Sequence, residues 1–197
     1  MILNNKQNLF VVQFQDSFFY PTIRQRWEPV VKRLKLPYEK VADFLNSCIQ
    51  SVSWPSLDVP NVQQQQSEFP IVYKGGKELE PIYDKNLSIT FKLSEGYFSY
   101  FICLEQIEEF LRYKEGNVYW PSMFVSFLDL NGLEIVVFEF EKIIPQSLSQ
   151  FELSYSSTAA EFSTFTMSLK YNRFNIIRRL DNNNYTLGKN KYPGAIL

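Results

Sequence analysis

Three carboxylates stand close together in the run L-E-Q-I-E-E-F: Glu105, Glu108 and Glu109. Glu105 and Glu109 are four residues apart, so on a helix they share a face. Such a pair could hold a divalent cation or pass protons if a third ligand or an acid–base partner stood beside it. The surrounding sequence offers none. No Asp is close by, and the chain contains no histidine. That excludes imidazole zinc sites and Ser–His or Cys–His nucleophile pairs. The three glutamates read as a solvated helix face.

The other reactive-looking groups lead to equally plain readings. Lys74, Gly75, Gly76 and Lys77 look superficially like a phosphate-cradling turn, but no strand–loop–helix context follows, so they read as a hairpin turn. Arg24, Arg26, Lys32 and Arg33 form a basic cluster around Trp27. With a formal net charge of −1 and slight aromatic interleaving, the cluster reads as a solvated helix face or a salt-bridging protein contact. Cys48 and Cys103, the only cysteines, lie in apolar stretches and read as buried thiols. Two cysteines in 197 residues are no disulfide scaffold, which points to a reducing compartment. No catalytic residue, metal or cofactor is expected.

The elements that would position these side chains are mostly strands. Aromatic residues make up 17% of the chain, with 18 Phe and 12 Tyr against only 7 Gly, a composition that suits pleated sheets. Phe165, Met167, Leu169 and Tyr171 alternate with Thr164, Thr166, Ser168 and Lys170, the period of a half-buried strand. Val136, Phe138 and Phe140 make a second such face, with Ile135, Val137, Glu139 and Glu141 opposite. Leu87, Ile89, Phe91 and Leu93 make a third, opposite Ser88, Thr90 and Lys92. Leu9–Gln15 reads as a first strand with Phe10, Val12 and Phe14 inward. Phe91, Phe138, Phe165 and Leu169 are expected in one apolar cluster. No apolar run approaches the ~20 residues that would span a bilayer. The start, M-I-L-N-N-K-Q-N, has no basic region followed by an apolar one, so no cleaved leader is expected.

Thr22–Leu34 has helical spacing through Ile23, Trp27, Val30, Val31 and Leu34, with Pro29 predicting a kink or two short helices. Tyr38–Gln50 reads as a second helix, or its end as a strand running into Val52 and Trp54. Ser53–Pro60 is extended by its prolines, and Gln63–Gln66 reads as a solvated loop. Phe69–Tyr73, Gly75-Gly76 and Lys77–Leu79 read as a hairpin. Glu95–Tyr113 is the best helix, capped by Ser94 and ended near Gly116. Met123–Leu130 is a strand, and Asn131-Gly132 is a strong hairpin signal. After Phe174 the pattern fades into a polar stretch.

The pieces N-L-F-V-V-Q-F, S-V-S-W-P-S-L-D-V-P, P-I-V-Y-K-G-G-K-E-L, L-S-I-T-F-K-L, V-V-F-E-F-E-K-I-I-P, Q-F-E-L-S-Y-S-S and F-S-T-F-T-M-S-L-K-Y follow one another in this order. Their order and spacing resemble the tail tube protein family of tailed bacteriophages, whose relatives include the tube proteins of contractile injection machines. The resemblance covers Leu9–Gln15 and then Ser51–Asn172 almost continuously. It implies a mainly β fold, an antiparallel β-sandwich or barrel-like domain with one flanking α-helix. It also implies a homo-oligomeric ring, commonly of six subunits, stacked with neighbouring tail proteins into a hollow tube. Double-stranded DNA would pass through that tube transiently, without a membrane partner. The location implied is the tail of a virion, assembled in host cytoplasm.

Two features depart from the family pattern: a helical insert at about 22–50 and an extension over 174–197, beyond a single domain of residues 1–173. They suggest a terminal or baseplate-proximal ring. Under this resemblance the proline-fixed segment with Leu57, Asp58 and Val59, then Gln63, Gln64, Gln65 and Gln66, and the turn Lys74, Gly75, Gly76 and Lys77, are expected to touch a neighbouring ring. Ser88, Thr90, Thr164, Thr166 and Ser168 are expected to line a channel. Glu139 and Glu141 are either an ordinary exposed face or an acidic strip of that channel. The reading from another class is a β-sandwich binding module, for example for carbohydrate, with Trp54, Tyr119 or Trp120 as a stacking platform.

Overall fold

The computed structural model describes residues 9–56, 61–64, 71–74, 84–112, 118–129, 131–151, 163–178 and 185–187. Two antiparallel sheets face each other across one apolar core. The first has five strands. β1 (Phe10–Phe14) pairs with β6 (Met123–Leu128), then come β7 (Glu134–Glu141), β10 (Arg173–Arg178) and β11 (Tyr185–Leu187). The second has four, in the order β2 (Ile49–Ser53), β5 (Asn86–Lys92), β9 (Thr164–Lys170) and β8 (Ile144–Leu148). β3 (Asn61–Gln64) and β4 (Ile71–Lys74) pair as a separate two-stranded ribbon.

Period-two alternation explains why both sheets bury one face. Leu87, Ile89 and Phe91 of β5 stand opposite Leu169, Met167 and Phe165 of β9, and all six are buried. Val12 and Phe14, Met123 and Val125, and Phe138 and Phe140 supply the facing layer. The two layers touch through the Phe14 and Phe91 rings, stacked with centroids 6.4 Å apart. The expected cluster of Phe91, Phe138, Phe165 and Leu169 is present.

The helices close one flank. α1 (Pro21–Arg33) and α2 (Val41–Ser47) lie between β1 and β2, and α3 (Phe98–Arg112) between β5 and β6. α1 runs through Pro29 as one helix, not two. Pro29 is exposed, and Pro21 at the first helical position starts the helix where a missing N–H costs nothing. The start of α3 is sharper than a simple capped helix. A 3-10 turn over Glu95–Tyr97 precedes it, with Gly96 at φ 69° and Tyr97 at φ 60°. A Cβ at Gly96 would come within 2.8 Å of the Phe98 ring, so this bend requires glycine. Ser94 does cap the helix: its Oγ accepts the Ser99 N–H at 3.0 Å.

Three sequence boundaries move. Gln63 and Gln64 belong to β3 rather than to a loop. β4 takes β3 as its partner, while the expected Gly75-Gly76 turn and Lys77–Leu79 lie outside the described residues. The five-stranded sheet continues past residue 173: β10 pairs with β7 along its whole length, and Phe174 and Ile176 pack on the core. Its alternation was masked by polar neighbours, Arg173, Asn175 and Arg178. The Asn131-Gly132 turn forms as expected, with Gly132 at φ 80°. Asp129 Oδ1 accepts the N–H groups of Asn131 and Leu133, both at 2.8 Å. The bond from Leu133 leads in holding the Asp129 carboxyl below its usual range.

Candidate functional site

The outward face of the four-stranded sheet carries a regular row of short polar side chains. Ser88 stands opposite Ser168, and Thr90 opposite Thr166. Their hydroxyls meet across the strands at 3.5 Å and 3.3 Å. Thr164 continues the row opposite Lys92, and Lys170 closes the other end opposite Asn86. Ser149 extends it sideways, its Oγ accepting the Thr166 N–H at 2.8 Å. The result is a ladder of short hydroxyls with a lysine at each end and no carboxylate on β5 or β9. Cross-strand hydroxyl pairs of this kind satisfy each other, so the middle of the face presents neutral hydroxyls between the two exposed lysines.

Glu139 and Glu141 do not join that row. They lie on β7, in the other sheet. Since the inner faces of both sheets share the core, their outer faces look in opposite directions. Asn175 of β10 pins both glutamates, its Nδ2 donating to Glu139 Oε2 at 3.0 Å and to Glu141 Oε1 at 2.9 Å. Asn175 is itself buried. Glu139 and Glu141 therefore lie on a different sheet from the serine–threonine row.

Gln63, Gln64 and Lys74 lie on the β3–β4 ribbon, which pairs with neither main sheet among the described residues. Leu57, Asp58, Val59, Gln65, Gln66, Gly75, Gly76 and Lys77 lie outside the described residues.

The glutamates of α3 bind helices, not metals. Glu105 Oε2 accepts from Arg26 Nη1 at 2.9 Å and from Trp27 Nε1 at 2.8 Å. Glu109 accepts from Thr22 Oγ1 at 3.1 Å. Both tie α3 to α1 at its margin, while Glu108 stays exposed and accepts from Arg112 of the same helix at 3.4 Å. Among the described residues no group of three His, Cys, Asp or Glu side chains gathers where it could hold a metal ion. Replacing Glu105 by alanine leaves the Trp27 indole without its acceptor. It should destabilise the domain by ~1.5–3 kcal/mol in urea unfolding, with Glu108→Ala nearly neutral.

Two polar contacts on the same flank escaped the sequence reading. Gln106 is buried; its Nε2 donates to Phe18 O at 2.8 Å and its Oε1 accepts the Tyr20 N–H at 3.2 Å. The signal was a glutamine four residues after Ile102, on the buried side of the helix. Asn46 of α2 does the same for β1: its Oδ1 accepts the Phe14 N–H at 2.9 Å and its Nδ2 donates to Phe14 O at 3.3 Å. Nothing local marks Asn46, because its partner is 32 residues away.

Of the expected stacking platform, Trp120 is buried while Trp54 and Tyr119 stay exposed. Trp120 is buried between Phe18 and Phe110, at ring distances of 5.0 and 5.8 Å. Trp54 is edge-on to Phe138 at 4.3 Å and tilted against Phe127 at 5.1 Å. Tyr119 lies under the Lys142 ammonium. Both cysteines are buried free thiols, and burial pushes each above its ordinary pKa.

No protein-family model matches the chain, and no curated protein sequence matches it. Solved structures do. The tube-terminating cap of the anti-feeding prophage matches with a TM-score of 0.53 at 12% identity, over 90% of this chain and 93% of that one. The chain has the tube-protein fold. The sheath/tube terminator of the extracellular contractile injection system PVC matches with a TM-score of 0.52 at 12% identity, over 89% and 97%. A crystallised Hcp protein matches with 0.50 at 14% identity, over 91% and 99%. The tube-protein fold expected from the order of sequence pieces is therefore the observed one. No helix among the described residues is long and apolar enough to cross a membrane.

Proposed function

We propose that this chain is a structural subunit of a ring-stacked tube in a phage tail or a phage-like contractile injection particle, with no catalytic task. Six copies close into a ring, and the ring sits at a terminal or baseplate-proximal position. The hydroxyl ladder of β5 and β9 faces the channel, and the β3–β4 ribbon reaches an adjoining ring.

The ladder carries this reading. Ser88, Thr90, Thr166 and Ser168 satisfy one another across two central strands, and no side chain of the core or of the helices is paired with them. A conduit for DNA needs such a wall. Cations lining it would bind phosphates and gain from counterion release, whereas paired neutral hydroxyls gain little. The fold similarity to two tube terminators supports the placement. The carbohydrate-binding reading is the weaker one, because Trp120 is buried and Trp54 sets an edge against Phe138, so no flat row of rings is presented.

Because β3 and β4 pair only with each other among the described residues, the ribbon can be shortened without interrupting either main sheet. Deleting Gln63–Gln66 should leave the thermal unfolding midpoint within a few degrees of wild type and abolish stacking of rings into longer tubes in electron micrographs. Tubes of normal length from the deleted protein would remove the ribbon from the ring contact.

A further inference from the structure

We infer that Lys85, Lys142 and Lys170, gathered at one end of the hydroxyl ladder, form a collar that holds DNA phosphates at one mouth of the channel. The inference rests on the reading of the ladder as the channel wall and adds where on that wall a duplex is held.

The collar stands at a corner where the chain changes sheets. It passes from β7 to β8 through Lys142 and Ile143, and from β9 to β10 through Tyr171 and Asn172. β5 begins at the same place, since Asn86 stands opposite Lys170. Tyr171 and Asn172 tie these segments together. The Tyr171 N–H donates to Lys85 O at 3.2 Å, and its hydroxyl donates to Asp84 O at 2.9 Å. The Asn172 N–H donates to Glu141 O at 3.1 Å, and its Nδ2 donates to Lys142 O at 3.2 Å. Tyr171 is buried beneath the corner, its ring edge-on to Phe140 at 5.0 Å. Lys142 sits at φ 54°, a backbone state that a residue with a side chain keeps only where its surroundings impose it. The main chain of each lysine is therefore fixed, while all three side chains are exposed.

None of the three ammonium groups has an ion-pair partner among the described residues. The adjoining carboxylate, Asp84, is taken by Asn86, its Oδ1 accepting the main-chain N–H at 3.2 Å and Nδ2 at 2.7 Å. Arg173, the next cation along, stands opposite Glu141 on the five-stranded sheet and belongs to that face. The far end of the ladder differs. Lys92 is the one lysine of β5 and β9 there, and Glu95 follows three residues later. The charge is therefore gathered at one end.

Such a group fits a polyanion better than a folded protein. Lysine is depleted at interfaces between folded proteins, whereas a phosphate backbone takes it as a point charge on a flexible stem. Strands that stand side by side around a ring run along its axis, so β5 and β9 lead from one mouth to the other. β5 has seven residues, which sets the two ends about 20 Å apart. A duplex is held at the lysine mouth and meets neutral hydroxyls over the middle of the wall.

The test measures binding of a short fluorescent duplex to assembled rings by anisotropy, over a range of salt. Wild type is compared with the triple variant Lys85→Gln, Lys142→Gln, Lys170→Gln and with Lys92→Gln, ring formation being checked by mass photometry. Wild-type rings should bind at low salt and release the duplex as salt rises. The triple variant should bind about tenfold more weakly at low salt, and its salt slope should fall by about two or more. Lys92→Gln should stay within about threefold of wild type. A second measurement needs no variant: on wild-type rings, bound duplex should slow acetylation of Lys85, Lys142 and Lys170 and leave Lys32 and Lys35 unchanged. Equal acetylation with and without duplex, or a triple-variant ring that binds like wild type, overturns the collar and leaves the tube role standing. Tighter binding of a polyglutamate peptide than of duplex at equal charge also overturns it and assigns the corner to an acidic protein. A wild-type chain that forms no rings at any concentration overturns the reading on which the collar rests.

Discussion

Replacing Phe165 with alanine should cost about 3–5 kcal/mol of stability, the range for emptying a fully buried aromatic site. Phe165 is 1% exposed. Its ring stacks on Phe91 at 5.2 Å and meets Tyr100 edge-on at 5.3 Å. The cavity would open between β5, β9 and α3, three elements with well-formed backbones that cannot easily collapse into it. Thr166→Ala on the next position is the control. It removes a hydroxyl from the outer face and should change stability by no more than about 1 kcal/mol. Urea unfolding at one fixed protein concentration measures both, since assembly would otherwise shift the midpoint. A loss under ~1 kcal/mol for Phe165→Ala would mean that the two faces of β9 are reversed.

If the ladder lines the channel as proposed, lysine at Thr90 and Thr166 should make the assembled ring hold DNA more tightly than wild type. The two positions face each other at the centre of the ladder. If a ring places about six phosphate contacts around one channel, counterion release makes affinity fall roughly 10³-fold between 50 and 200 mM salt. Retention of short duplex DNA by assembled rings should therefore rise sharply at low salt and vanish at high salt. Glu139→Lys with Glu141→Lys is the matching test on the other sheet. Those positions point away from the ladder, so reversing them should leave DNA retention within the channel unchanged. If the glutamate variant retains DNA and the threonine variant does not, the five-stranded sheet lines the channel instead.

Much of this architecture was legible in the chain because period-two alternation is a local property. Phe165, Met167, Leu169 and Tyr171 announce their buried face without reference to any partner. Which sheet a strand joins is not local. The outward residues of β5, β7 and β9 look alike in sequence, and only the pairing of β5 with β9 and of β7 with β10 separates the hydroxyl ladder from Glu139 and Glu141. The same limit hid the work of Glu105. Its spacing from Glu109 shows a shared helix face, but the indole that it accepts from lies 78 positions earlier. Pro29 misled for the opposite reason. Its local penalty is real, yet the apolar side of α1, with Ile23 and Val31 buried, holds the helix across it. Gln63 and Gln64 read as loop because they stand in a short run of glutamines, whereas the register with β4 places them in a strand.

The most direct test of the structural role is negative-stain electron microscopy of the purified chain over a range of concentrations. The account predicts closed rings with an open centre in end views, and short stacks of them in side views. A population that stays as single compact particles, at concentrations where ring-forming contacts of standard size would be saturated, contradicts it.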